Sequence, residues 1–179
     1  MNLKRMFFGI LCVMVWMGLV TIGGCKKSVE AQLIPTGALL NATDCKEFLA
    51  NTSGSLDDFA PAQHDDCIEY HYNGTNTLVL RHISAGFNCC PGEITAEIDF
   101  NNSLITITER EEKQDCRCLC LFDLDYEVIN LSPGVYTLRI IEPYVEESDQ
   151  VLELTLELMS ANSGTHCVQR TSYPWGQQN

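Results

Sequence analysis

Eight cysteines set the terms on which this chain folds. Cys45, Cys67, Cys89, Cys90, Cys116, Cys118, Cys120 and Cys167 lie in the body of the sequence, with Cys12 and Cys25 nearer its start. Their redox state separates two different molecules, a disulfide framework and a set of thiolate metal ligands. The opening stretch, "MNLKRMFFGILCVMVWMGLVTIGGC", bears on that choice. It begins with Lys4 and Arg5, runs apolar from Met6 to Ile22, and closes on two glycines before Cys25. This is the layout of a secretory leader. The apolar run sits at the lower edge of the roughly 17–25 residues of a membrane-spanning helix, so a retained anchor is the competing reading. In an exported chain no thiol buffer keeps cysteines reduced, and an even number of them favours disulfides.

The segment Ile22, Gly23, Gly24, Cys25 resembles the lipobox of bacterial lipoproteins. The resemblance implies thioether diacylation of Cys25, cleavage that removes residues 1–24, and acylation of the new amine. Each buried methylene contributes about 0.8 kcal/mol, and two acyl signals already anchor a chain stably. Membrane lipid, engaged through acylated Cys25, is then the first expected partner. Lys26, with no aspartate after the cysteine, resembles the sorting pattern of enterobacterial lipoproteins, which implies the outer membrane and leaves the leaflet open.

The formal net charge is −13, and loss of the leader with Lys4 and Arg5 makes it more negative still. Such a surface repels nucleic acid and anionic lipid headgroups. An unidentified protein or glycan ligand is the partner class that remains. Residues 25–62 carry Pro, Gly, Ser, Thr and Asn without sustained periodicity and read as a lipidated tether followed by irregular structure. Residues 63–168 read as one domain, and 169–179 as a C-terminal tail.

Geometry narrows the cysteine pairing without settling it. Neighbours at i and i+2 on one strand lie about 6.6 Å apart at Cα, the far edge of what a disulfide spans. Cys116, Cys118 and Cys120 therefore each look elsewhere, with the vicinal Cys89 and Cys90 as natural candidates and Cys45, Cys67 and Cys167 supplying the remainder. The alternative is soft-metal binding by Cys89, Cys90, Cys116, Cys118 and Cys120 with His82 as an extra ligand, to zinc or copper(I). Structural zinc usually takes two Cys-x2–4-Cys knuckles, and this chain has no second one beside Cys116 and Cys120.

From Cys67 onward the sequence alternates with a period of two, the pattern of half-buried strands. "CIEYHY" sets Ile68, Tyr70 and Tyr72 against Glu69 and His71, and "NGTN" turns the chain into "TLVLRHI". "EITAEIDF" puts Ile94, Ala96, Ile98 and Phe100 on one face. "NNS" is a further turn into "LITITE". "VLELTLELM" sets four leucines, Leu152 to Leu158, against Glu153, Thr155 and Glu157. In "CRCLCLFDLDYEV" the even positions read Cys116, Cys118, Cys120, Phe122, Leu124, Tyr126 and Val128, a core face, while Asp123, Asp125 and Glu127 form its wet side. Leu119 and Leu121 suggest burial on both faces, and a strand this long predicts a bend near Phe122.

"LSPGVYTLRI", residues 131–140, resembles the Leu-x-Pro-Gly-x-x-Tyr segment of fibronectin type III domains, shortened by one residue. It implies that the Tyr136 hydroxyl bonds back to the backbone near Leu131 or Ser132. The body as a whole resembles uncharacterised cysteine-rich exported bacterial proteins with a vicinal cysteine pair and a C-x-C-x-C segment, a likeness that implies no activity. The expected fold is all-β: an antiparallel, immunoglobulin or fibronectin III-like β-sandwich of seven or eight strands, stabilised by disulfides.

The familiar hydrolase, zincin and nucleotide-binding motifs do not occur. Asp123, Asp125 and Glu127 are in line to hold calcium at a strand edge, but Val128 stands where a calcium loop of the EF-hand type needs glycine. The expected function is a non-catalytic binding or structural module, anchored in the bacterial cell envelope by a lipidated Cys25. The alternative is a cysteine-based metal-binding protein.

Overall fold

The computed structural model describes residues 33–46 and 65–175. The leader, Cys25, Lys26 and most of the 25–62 segment lie outside the described residues. Among those described, nine strands and no helix occur: β1 (Thr36–Ala42), β2 (Asp65–Tyr72), β3 (Thr77–Asn88), β4 (Ile94–Asn101), β5 (Leu104–Glu111), β6 (Leu119–Ile129), β7 (Gly134–Ile141), β8 (Glu153–Leu158) and β9 (Asn162–Gln169). They form a five-stranded sheet in the order β1-β6-β3-β2-β9 and a four-stranded sheet in the order β4-β5-β7-β8.

The period-two faces meet between these sheets. Ile68 and Tyr72, Leu78 and Leu80, and Phe122 to Val128 at even positions come from one side; Ile105, Ile107, Leu138, Ile140 and the leucines of β8 come from the other. A one-residue slip in β8 would expose Leu154, Leu156 and Leu158 together, so its register is strongly fixed. Asn73 shapes the β2–β3 turn, where its Oδ1 accepts from the backbone N–H groups of Thr75, Asn76 and Thr77 at 2.9–3.0 Å. Gly74 supplies the positive φ, +83°, that this turn needs. The hydroxyl of Tyr136 donates to the Ser132 carbonyl at 2.8 Å, and that of Tyr72 to the Leu131 carbonyl at 3.1 Å, so two tyrosines pin the Pro-Gly turn.

Several expectations need correction. Nine strands occur among the described residues rather than seven or eight, and the sandwich is not wholly antiparallel, because β5 and β7 pair in parallel. Parallel neighbours need a crossover, and here β6, in the opposite sheet, provides it without a helix. Strand β1 lies inside the segment expected to be irregular. It is an edge strand with a register shift between Leu39 and Asn41, which erases the alternation that would have marked it. The expected tail is also partly structure: Gln169 closes β9, and Arg170 and Trp175 are buried.

The bend expected near Phe122 falls on the partner strand instead. Even positions stay buried along β6 from Cys120 to Val128, while β3 takes a bulge between Ile83 and Ala85. Ser84 occupies it with φ 70°. Its N–H donates to Asp123 Oδ1 at 3.0 Å, and its carbonyl accepts from Trp175 Nε1 at 2.6 Å. The bulge thus switches the inward parity of β3 from Leu78 and Leu80 to Ala85 and Phe87 with both backbone groups of Ser84 paired.

Candidate functional site

The cysteines form four disulfides: Cys45–Cys120, Cys67–Cys167, Cys89–Cys118 and Cys90–Cys116. Cys116 and Cys118 precede β6 rather than lying on it. The antiparallel pairing of β3 with β6 ends at Asn88 opposite Leu119, and one step further places Cys89 opposite Cys118. A backbone bond from Cys89 N–H to the Cys118 carbonyl, 3.0 Å, continues the ladder. Asn88 completes the knot: its Oδ1 accepts from the N–H groups of Cys90 and Cys116, and its Nδ2 donates to the Cys116 carbonyl.

This pairing corrects the thiolate alternative. Cys89, Cys90, Cys116, Cys118 and Cys120 are all spent in sulfur–sulfur bonds, which leaves no thiolate for His82 to join. The calcium alternative fails for a different reason. Asp123 is ion-paired with Lys46 and bonded to Arg81 Nη2 at 3.1 Å, and Asp125 lies 3.7 Å from Arg81 Nη1. Burial pushes the Asp123 carboxyl up, but Lys46, the Ser84 N–H and Arg81 outweigh it and hold it below the usual range. Protein cations already occupy the position that calcium would take.

The chemistry-bearing side chains that the structure does bring together come from the inward phase of six strands. Asp66 precedes Ile68 and Tyr72 on β2, His82 follows Leu78 and Leu80 on β3, and Glu109 follows Ile105 and Ile107 on β5. Tyr126 lies on β6. Glu142 stands two residues past Ile140 beyond β7, and Arg170 two past Val168 beyond β9. Each is in step with the apolar face of its strand, so pleating drives it between the sheets. Asp66 and His82 are 0% exposed, Arg170 1% and Glu109 2%.

His82 is the hub. Nδ1 lies 2.7 Å from Glu109 Oε1 and Nε2 lies 2.7 Å from Asp66 Oδ1. With a carboxylate oxygen at each nitrogen, both donate, as an imidazolium does. Burial alone would lower the pKa of the ring; the charges of Glu109 and Asp66 outweigh it and hold that pKa well above the ordinary value. Glu109 Oε1 also accepts from the Tyr126 hydroxyl at 2.6 Å.

Arg170 closes the other side. Its Nε and Nη2 donate to Asp66 Oδ2 at 2.9 and 2.6 Å, Nη2 reaches Glu142 Oε1 at 3.0 Å, and Nη1 donates to the Gln150 carbonyl. The guanidinium carbon lies 5.6 Å from the centre of the Trp175 ring, within cation–π range. Burial and the neighbouring Asp66 push the Glu142 carboxyl well above its usual range. Asp66, raised by burial, is brought below its ordinary value first by His82, then by its hydrogen bond with Glu142 and by Arg170. Removing ions from water costs several kcal/mol each and is offset only by close pairing. Glu109 Oε2 and Glu142 Oε2 nevertheless have no hydrogen-bond partner among the described residues.

Two concavities flank this core. A groove of about 400 Å³ crosses β9, β2 and β3, with Glu69, His71, Arg81, Ser163 and Thr165 on it. A cleft of about 350 Å³ lies under the 142–151 loop, with Glu146, Glu147 and Asp149 on its walls and Glu142 and Arg170 at its inner side. Of the residues in the cluster, sequence reading singles out His82 alone. Asp66, Glu109, Glu142 and Arg170 are found only by extending the apolar phase of each strand onto the next charged residue; Tyr126 is met as part of the core face of β6, and Trp175 lies on no strand and has no phase to extend. No family model, no curated protein and no solved structure matches this chain.

Proposed function

We propose that this chain is an exported bacterial envelope lipoprotein, held on a membrane through acylated Cys25 and acting as a binding or structural module rather than an enzyme. The observation that carries the reading is the pairing of all eight body cysteines as disulfides, a state that persists in oxidising compartments and is rare in the cytosol. It agrees with a basic, then apolar, then Gly-Gly-Cys start. A non-catalytic role is supported by His82, whose two ring nitrogens both face carboxylates and whose side chain is fully enclosed. No ring nitrogen is left to exchange a proton with a substrate. A protein or glycan ligand would meet the groove across β9, β2 and β3. The finer fold reading is an immunoglobulin or fibronectin III-like sandwich, supported by the Tyr136 bond to Ser132.

The test is metabolic labelling with palmitate followed by membrane fractionation. The native chain incorporates label and sediments with membranes; Cys25→Ser does neither. A Cys25→Ser chain that still labels and fractionates like the native one ends the proposal.

A further inference from the structure

We propose that Asp66, His82 and Glu142 form a site for one zinc-class divalent ion, ligated by Asp66 Oδ1, His82 Nε2 and Glu142 Oε2. One ligand atom from each of the three residues can be chosen so that all lie within 4.8 Å of one another. His82 Nε2 stands 2.7 Å from Asp66 Oδ1 and 3.9 Å from Glu142 Oε2. Ligands bonded at about 2.0–2.2 Å in tetrahedral array stand about 3.4 Å apart, so one gap opens slightly and the other closes slightly.

Three features beyond proximity point to an ion. The first is the division of oxygens. Arg170 takes Asp66 Oδ2 and Glu142 Oε1, which leaves Asp66 Oδ1 and Glu142 Oε2 turned toward the same ring nitrogen. A guanidinium placed this way orients both carboxylates and reserves one oxygen of each. The second is Glu142 Oε2 itself, on a side chain 1% exposed and without a hydrogen-bond partner among the described residues. The third is Glu109. Its contact with His82 Nδ1 is the carboxylate–histidine arrangement that fixes the tautomer and raises the basicity of a metal-bound imidazole.

Charge selects the class of ion. Three carboxylates face one guanidinium, so two further positive charges bring the cluster to neutrality. One divalent ion beside a neutral imidazole supplies both, and so do two protons; ion and protons compete for the same interior space. One nitrogen and two carboxylate oxygens suit zinc better than copper(I), which wants sulfur, or calcium, which takes six to eight oxygens. The acidic walls of the adjoining cleft, Glu146, Glu147 and Asp149, attract a cation toward Glu142 at its inner side. This inference is independent of membrane attachment.

The test uses the full oxidised chain, stripped with chelator and dialysed against zinc chloride at neutral pH without reductant. The native protein should retain one equivalent, with X-ray absorption showing nitrogen and oxygen ligands and no sulfur. Glu142→Gln preserves the shape of the protonated acid; it should keep the disulfide map and weaken zinc binding at least about tenfold. Glu97→Gln, exposed on β4 and not among the residues lining the cleft, should leave affinity unchanged. Retention of no zinc by the native protein would overturn the proposal and leave a cluster held by protons alone. Equal binding by Glu142→Gln, or sulfur in the coordination shell, would overturn it by placing the ion elsewhere. Because the absorption measurement needs only the native chain, a variant that fails to fold does not remove the test.

Discussion

Asp123 shows how a single residue supports the bulge on which the β3–β6 pairing turns. Its carboxylate caps the N–H of Ser84 at 3.0 Å while Lys46 and Arg81 neutralise it. Replacement by Asn keeps an acceptor for Ser84 but removes the charge, which should cost about 1–3 kcal/mol at neutral pH, the range for a charged hydrogen-bonding group. The pH dependence has a definite sign. A carboxyl held below its unfolded value of 3.8 stabilises the fold fully above that value and loses the contribution as pH falls through the folded one. Denaturant unfolding of the native chain and Asp123→Asn should therefore differ above about pH 4 and converge in stronger acid. A gap that widened with acidity would contradict this role.

Among the elements, the stretch after β9 depends on packing rather than pattern. The Trp175 ring lies on Gly86 of β3, where an added Cβ would come within 2.7 Å of ring carbons. Gly86→Ala should cost about 1–3 kcal/mol by overpacking. The same change in a Trp175→Ala background should cost close to nothing, and simple additivity would show that the ring does not rest there. This contact also marks the limit of reading by periodicity. The faces of β4, β5 and β8 follow from alternation alone, because those strands each bury one face. β1 escapes notice because a bulged edge strand shows little burial contrast, and "SYPWG" because a tryptophan filling a gap above glycine has no period. The cluster around His82 is a further case. Its charged members, Asp66, His82, Glu109, Glu142 and Arg170, do obey the strand phase, but each alone looks like an interruption of its apolar face until the five are seen to converge.

At the scale of the whole molecule, covalent and ionic ties reinforce the same two-sheet body. The Cys67–Cys167 bridge joins residues separated by 100 positions across β2 and β9, and Cys45–Cys120 ties the chain that follows β1 to the start of β6. Such links stabilise chiefly by restricting the unfolded chain, typically by about 2–4 kcal/mol each. The adjacent Cys89–Cys118 and Cys90–Cys116 bridges extend the longest strand pairing past its last regular rung. The account therefore rests on a defined connectivity more than on any one contact, and a disulfide map of the unreduced protein tests it most directly. Proteolysis and mass spectrometry should recover Cys45–Cys120, Cys67–Cys167, Cys89–Cys118 and Cys90–Cys116, with no alkylatable thiol among these eight. Free thiols at these positions, or Cys89 joined to Cys116 and Cys90 to Cys118, would contradict it.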